Sequence, residues 1–152
     1  MRYMLDTNIC IHLIERQPPQ VMARFEALSQ GDVVMSVVTF AELCHGVERE
    51  PQHKASAQRA LAMLQGFIPV MPFDIDAALR YGELAAAVPD RRKDALDRLI
   101  AAHALGLDVV LVTNNEADFK GYPGLRVENW VKEARPFARP AARRANTAVH
   151  ST

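Results

Sequence analysis

Four acidic side chains, far apart in the chain, could do chemistry together: Asp6, Glu42, Asp97 and Asp118. Asp6 closes the apolar run of Tyr3, Met4 and Leu5 and stands directly before Thr7 and Asn8. Glu42 lies about one helical turn beyond the valine-rich run 32–38. Asp97 falls in the first turn of a helix predicted ahead of the apolar run 108–113, and Asp118 follows that run in "TNNEADF". Carboxylates brought together repel, and one would normally be forced to take up a proton. A divalent cation removes that conflict, and hard oxygen donors suit Mg²⁺ or Mn²⁺. Such an ion can also activate a water and offset charge on a phosphate, which phosphodiester hydrolysis requires.

Each acid also has a plainer reading. Asp6 could only cap the helix that follows it. Thr39 and Glu42 match the spacing of a capping box, in which Glu42 would bond backbone N–H groups. Asp97 could be an ordinary first-turn acid and Asp118 a loop residue. What favours the joint reading is the arrangement of elements that would carry the four.

Buried strands are predicted over 2–6, 32–38, 67–73, 108–113 and 124–130. Helices are predicted over 8–16, 20–30, 39–50, 54–65, 76–88 and 94–105. The prolines of "FIPVMPF" (67–73) mark an edge strand, and Gly31 and Gly106 are expected to close helices. Strands alternating with helices imply a parallel sheet covered on both faces, and right-handed crossovers make it doubly wound. Sites in such sheets lie beyond the carboxyl ends of the strands. Asp6, Glu42, Asp97 and Asp118 are all expected on that edge, where helix N-termini help keep carboxylates ionised.

The bulk properties bound the class. A chain of 152 residues fits one domain with a sizeable core. No apolar run is long enough to span a bilayer and the N-terminus lacks a signal-peptide pattern, so a cytoplasmic, non-membrane protein is expected. The formal net charge is zero, but residues 135–152 hold four arginines and no acid, which leaves residues 1–134 with a net charge of −4. The globular part is therefore expected over 1–134, with a disordered basic tail over 135–152. Cys10 and Cys44 lack metal-ligand spacing and read as free thiols. No glycine-rich phosphate loop follows any strand. A haloacid-dehalogenase-type phosphatase would need Asp where Asn8 stands, and a response-regulator receiver would need an acidic pair that is absent.

The stretches "MLDTNICI" (4–11), "SVVTFAELCHGVE" (36–48), "LDRLIAAHALGLDVVLVTNNEADF" (96–119) and "GLRVENW" (124–130) carry a family likeness. The chain resembles the PIN-domain ribonucleases, and within them the VapC toxins of type II toxin–antitoxin pairs. The resemblance implies a three-layer α/β/α sandwich with a parallel sheet of about five strands. It also implies Mg²⁺- or Mn²⁺-dependent endonucleolytic cleavage of structured RNA, either tRNA or rRNA. Family roles fall on Asp6, Glu42 and Asp97 as metal-binding acids. The fourth acidic role falls on Asp118, although some members carry the acid nearer the strand end, at the place of Asn115. Thr7 and Asn8 match positions that support the first acid by hydrogen bonds.

The implied partners are a cognate VapB-type antitoxin, RNA, a second copy of the chain in a homodimer, and operator DNA reached only through the antitoxin. "VPDRRKDALD" (88–97) departs from the family's usual Gly/Pro-containing loop. Asp94 there is a candidate for the pocket rim, and Arg91, Arg92 and Lys93 are candidates for RNA phosphate contacts or simply a solvated loop. The basic tail could add salt-dependent RNA affinity. Left as alternatives are a PIN-fold nuclease acting on DNA or in RNA processing, and a catalytically weak binding module. His12 reads as a surface or packing residue, His103 as a core histidine with a bonded ring, and Phe119 and Trp130 as packing residues.

Overall fold

A computed structural model describes residues 1–88 and 95–132. The order is β1 (Tyr3–Leu5), α1 (Thr7–Glu15), α2 (Pro19–Glu26), β2 (Val33–Ser36), α3 (Val37–Glu48), α4 (Lys54–Phe67), β3 (Val70–Met71), α5 (Ile75–Ala87), α6 (Ala95–Leu107), β4 (Val110–Val112) and β5 (Val127–Glu128). Short 3₁₀ turns precede α4 and follow β4. Arg91, Arg92, Lys93, Asp94 and the basic tail lie outside the described residues.

All strand pairings are parallel, in the order β3-β2-β1-β4-β5. The proline-flanked β3 is an edge strand, as its sequence implies. Successive residues of each strand face opposite layers. Tyr3, Leu5, Val33, Met35 and Val112 point into a core shared with α1, α2 and α4. Met4, Val34 and Leu111 point into a second core shared with α5 and α6. Removing each such side chain from water contributes ~1.5–3 kcal/mol. The result is the expected α/β/α sandwich, with its strands shorter than their apolar runs.

Two glycine expectations are corrected. Gly106 does not end α6. The left-handed residue there is Asp108, at φ 54°. Its N–H bonds the Leu105 carbonyl, and the Val109 N–H bonds that of Ala104, which together close the helix. Gly106 serves packing instead: a Cβ on it would stand 3.1 Å from the Ala77 backbone nitrogen. Gly31, at φ 93°, forms the turn into β2, well after α2 has ended at Glu26.

That Ala77–Gly106 contact fixes the helical hairpin. The start of α5 packs on the end of α6, so the first turn of α6 lies at the other end of the pair. Leu107 feeds directly into the start of β4, which places Asp97 on the carboxyl side of the sheet.

Candidate active site

The strand order reverses between β1 and β4, and the crevice above that switch point is where parallel sheets build sites. Asp6 follows β1 and Thr113 follows β4, so adjacent strands deliver both to the crevice. The two side chains meet: Thr113 Oγ1 donates to Asp6 Oδ2 at 2.9 Å. The other carboxylate oxygen, Oδ1, accepts the Thr7 N–H at 2.7 Å. Asp6 is therefore the N-cap of α1, so the plain reading of this residue is correct as far as it goes. Capping engages only one oxygen, however, and each oxygen retains acceptor capacity.

Glu42 is tied to the same place. Its Oε1 accepts the Thr7 hydroxyl at 2.8 Å, across 35 residues of sequence. The capping-box reading of Thr39 and Glu42 is overturned, because α3 begins at Val37 with Ser36 as its N-cap. The Ser36 hydroxyl accepts the Val38 N–H, which leaves Glu42 in the second turn, free of any capping role. Thr7 and Asn8 divide their expected duty unevenly. Thr7 holds Asp6 through its backbone and Glu42 through its hydroxyl. Asn8 is exposed and lines the groove beside them.

Burial is the main cause that holds the Asp6 carboxyl above its ordinary value. The bonds from Thr7 and Thr113 pull it back down, while the charges of Glu42 and Asp118 push it up again. Glu42 and exposed Asp118 thus lie near enough to be felt electrostatically. Asp118 sits in the 3₁₀ turn Glu116–Phe119, whose entry is set by the Asn115 N–H bonding Thr113 Oγ1 at 3.0 Å. Asn115 itself is exposed. Asp97 is half-buried in the first turn of α6. Its neighbour Leu96 shares two surface hollows with Glu42, which puts that turn beside α3.

The donor set fits a hard divalent cation. A 5% exposed carboxylate with two further carboxylates nearby has, among the described residues, no lysine or arginine paired to it. Among the same residues no three His, Cys, Asp or Glu side chains already stand at ligand spacing. An ion here would be held by few carboxylates at once and would keep several waters, the usual habit of Mg²⁺.

Sequence reasoning missed Thr113, which is fully buried and bonds the central acid directly. The signal was available: it closes β4 as Asp6 closes β1. Asn114 was missed as well; its Nδ2 lies 3.4 Å from His12 Nε2 and links α1 to the loop after β4. His103 is the expected core histidine, with Nδ1 2.7 Å from the Ser36 hydroxyl; burial holds the ring's pKa below its ordinary value. Phe119 and Trp130 are buried packing residues, as expected, and both cysteines are free thiols.

A profile of the PIN domain matches residues 3–125. The chain is 38% identical over 135 residues to the tRNA(fMet)-specific endonuclease VapC of Shigella flexneri, covering 86% of this chain and 98% of that protein. It is 34% identical over 137 residues to Ribonuclease VapC2 of Rickettsia felis, covering 87% and 100%. Among solved structures it is similar to VapBC2 from Rickettsia felis bound to a promoter DNA fragment, with a TM-score of 0.75 at 32% identity, covering 86% of this chain and 99% of that one. VapBC-1 from nontypeable Haemophilus influenzae gives a TM-score of 0.75 at 34% identity, covering 87% and 100%.

Proposed function

The chain belongs to the PIN domain family, and from that membership we propose that it is the toxin of a toxin–antitoxin pair, an endoribonuclease that hydrolyses phosphodiester bonds in structured RNA, with tRNA the first substrate to test. The observation that carries this reading is the buried Asp6 carboxylate at the switch point, clamped by Thr7 and Thr113 and linked through Thr7 to Glu42. Its partner is a VapB-type antitoxin, through which operator DNA is bound; the relatives solved as VapBC complexes, some on DNA, support this. A homodimer is the expected state of the toxin itself.

Asp6, Glu42, Asp97 and Asp118 are the acids that would hold Mg²⁺ or Mn²⁺. When bound, the ion supplies an activated water and positive charge at the phosphate. The chain's own residues do the rest. Thr113 and the Thr7 N–H favour the ionised form of Asp6 against the effect of burial and fix its direction. The Thr7 hydroxyl holds Glu42 toward the same crevice. The β4 loop, entered through Asn115, brings Asp118 over it. Arg91, Arg92 and Lys93, just before α6 in sequence, are proposed to bond RNA phosphates. We place the protein in the cytoplasm; no helix among the described residues is long and apolar enough to cross a membrane.

The test is cleavage of total tRNA by the purified toxin freed of antitoxin. Asp6→Asn or Asp97→Asn should abolish cutting while the circular dichroism spectrum is retained. EDTA should stop the wild-type enzyme, and Mg²⁺ or Mn²⁺ should restore it. Full activity in either variant, or activity indifferent to chelation, would refute the assignment.

A further inference from the structure

Two of the four acids lie on neighbouring helices, and a buried hydrogen bond joins those helices. Glu42 is on α3 and Asp97 on α6, which pack against each other. His103 Nδ1 of α6 stands 2.7 Å from the hydroxyl of Ser36, the N-cap of α3, across 67 residues of sequence. Both residues are fully buried.

The surroundings give this bond a single geometry. The Ser36 oxygen accepts the Val38 N–H at 3.1 Å, so its own proton is available to the ring. Burial favours the neutral ring, which offers one accepting nitrogen. The Ser36 hydroxyl therefore donates to Nδ1, which assigns the ring proton to Nε2. Phe73 stands edge-on to the ring, with centroids 5.3 Å apart, and holds its plane. Around His103, Ile100, Ala101, Ala102 and Ala104 are also fully buried. Such apolar contacts are non-directional, so they hold α6 down without setting its rotation or its height. A hydrogen bond is directional and sets both.

Glu42 lies six residues beyond Ser36, and Asp97 lies six before His103. Each acid is thus about 9 Å along its helix from the bond, at 1.5 Å rise per residue. A slip of one helix against the other at the bond is carried to the acids, whereas ligands need placing within about 0.5 Å. Resting on the nuclease reading above, we infer that the Ser36–His103 bond is the strut that sets Asp97 against Glu42. Ser36 and His103 are positioning residues for the divalent ion, which neither of them touches.

The experiment is calorimetric titration of the antitoxin-free protein with Mn²⁺, well below its melting temperature. It compares wild type, Ser36→Ala, His103→Gln, His103→Asn and the double variant Ser36→Ala/His103→Gln. An asparagine amide reaches the place of Nδ1, whereas a glutamine amide reaches that of Nε2. Ser36→Ala and His103→Gln should each weaken Mn²⁺ binding about 2- to 30-fold, the range for residues coupled to a site they do not touch. The double variant should bind no worse than the weaker single, because both changes remove one bond. His103→Asn should restore most of the affinity lost in His103→Gln, although it too melts below wild type. A bond that served packing alone would lower melting temperatures and leave the affinity of the folded protein unmoved. Unchanged Mn²⁺ affinity in both single variants, effects that multiply in the double, or His103→Asn binding no better than His103→Gln would each overturn the strut. If the histidine variants do not fold, Ser36→Ala and Ser36→Thr, the second keeping the hydroxyl, make the same comparison. If the wild type binds no Mn²⁺, the acid site itself fails and the strut with it, a result distinct from a wild-type affinity that the variants do not change.

Discussion

Thr113→Val isolates the clamp on Asp6, because valine keeps the shape of threonine and deletes only the hydroxyl. Two hydrogen bonds go with it: the 2.9 Å donation to Asp6 Oδ2 and the 3.0 Å bond from the Asn115 N–H. A bond to a charged group is worth about 1.5–3 kcal/mol, or roughly 10- to 100-fold at ~1.4 kcal/mol per decade. Outer partners of metal ligands cost a comparable 10–100-fold in affinity or activity when lost. The loss should therefore appear both in Mn²⁺ affinity by calorimetry and in the RNA cleavage rate. Its pH dependence is distinctive. Burial already holds the Asp6 carboxyl above 3.8, and removing a donor to the anion raises it further. Metal binding and cleavage should shift to higher pH in the variant. For a carboxyl raised in this way, the metal-free fold keeps the group's full contribution below pH 3.8 and loses it as pH rises through the folded value. Thr113→Val should thus destabilise the metal-free protein more at pH 7 than at pH 4. Unchanged Mn²⁺ affinity and an unchanged cleavage–pH profile would refute the clamp. An equal stability loss at both pH values would assign the bond a packing role only.

Further perturbations test separate parts of the argument. Asp6→Asn removes an unpaired buried charge, so the metal-free variant should melt no lower than wild type at pH 7 and should gain no stability from Mn²⁺; calorimetric scans with and without the ion check both. Gly106→Ala places a Cβ 3.1 Å from the Ala77 backbone, and overpacking of about 1–3 kcal/mol should outweigh the ~1 kcal/mol gained in helix propensity. Urea unfolding would show the net loss, and a more stable variant would contradict the close α5–α6 approach. Deleting residues 136–152 should leave thermal melting cooperative, whereas a collapsed melting temperature would show that the basic tail is structural.

Much of the fold was legible because it rests on local pattern. The apolar runs of Tyr3, Met4 and Leu5 and of Val33, Val34 and Met35 are buried on both faces, so they read as parallel strands without any alternation. The prolines around Val70 and Met71 announced an edge. Element ends were harder to place, since backbone geometry decides them. Ser36, the last residue of β2, caps α3, which begins at Val37, two residues before the expected start. Asp108, with no glycine to mark it, adopts the left-handed turn that closes α6.

The acids were legible in the same way. Asp6 and Asp118 follow strands, Asp97 opens α6 and Glu42 lies in the second turn of α3, positions that in a parallel sheet are expected toward one edge. What only the tertiary structure decided is how they are held. Hydrogen bonds span 107 residues from Thr113 to Asp6 and 35 from Thr7 to Glu42. A hydroxyl's partner depends on which strands become neighbours, and here the 3-2-1-4-5 order sets β4 against β1. Sequence alone thus determined which groups carry charge and on which edge they are expected. Chain topology chose the neutral side chains that orient the charge, because short-range directional bonds form only after long-range strand pairing has placed donor and acceptor within 3 Å.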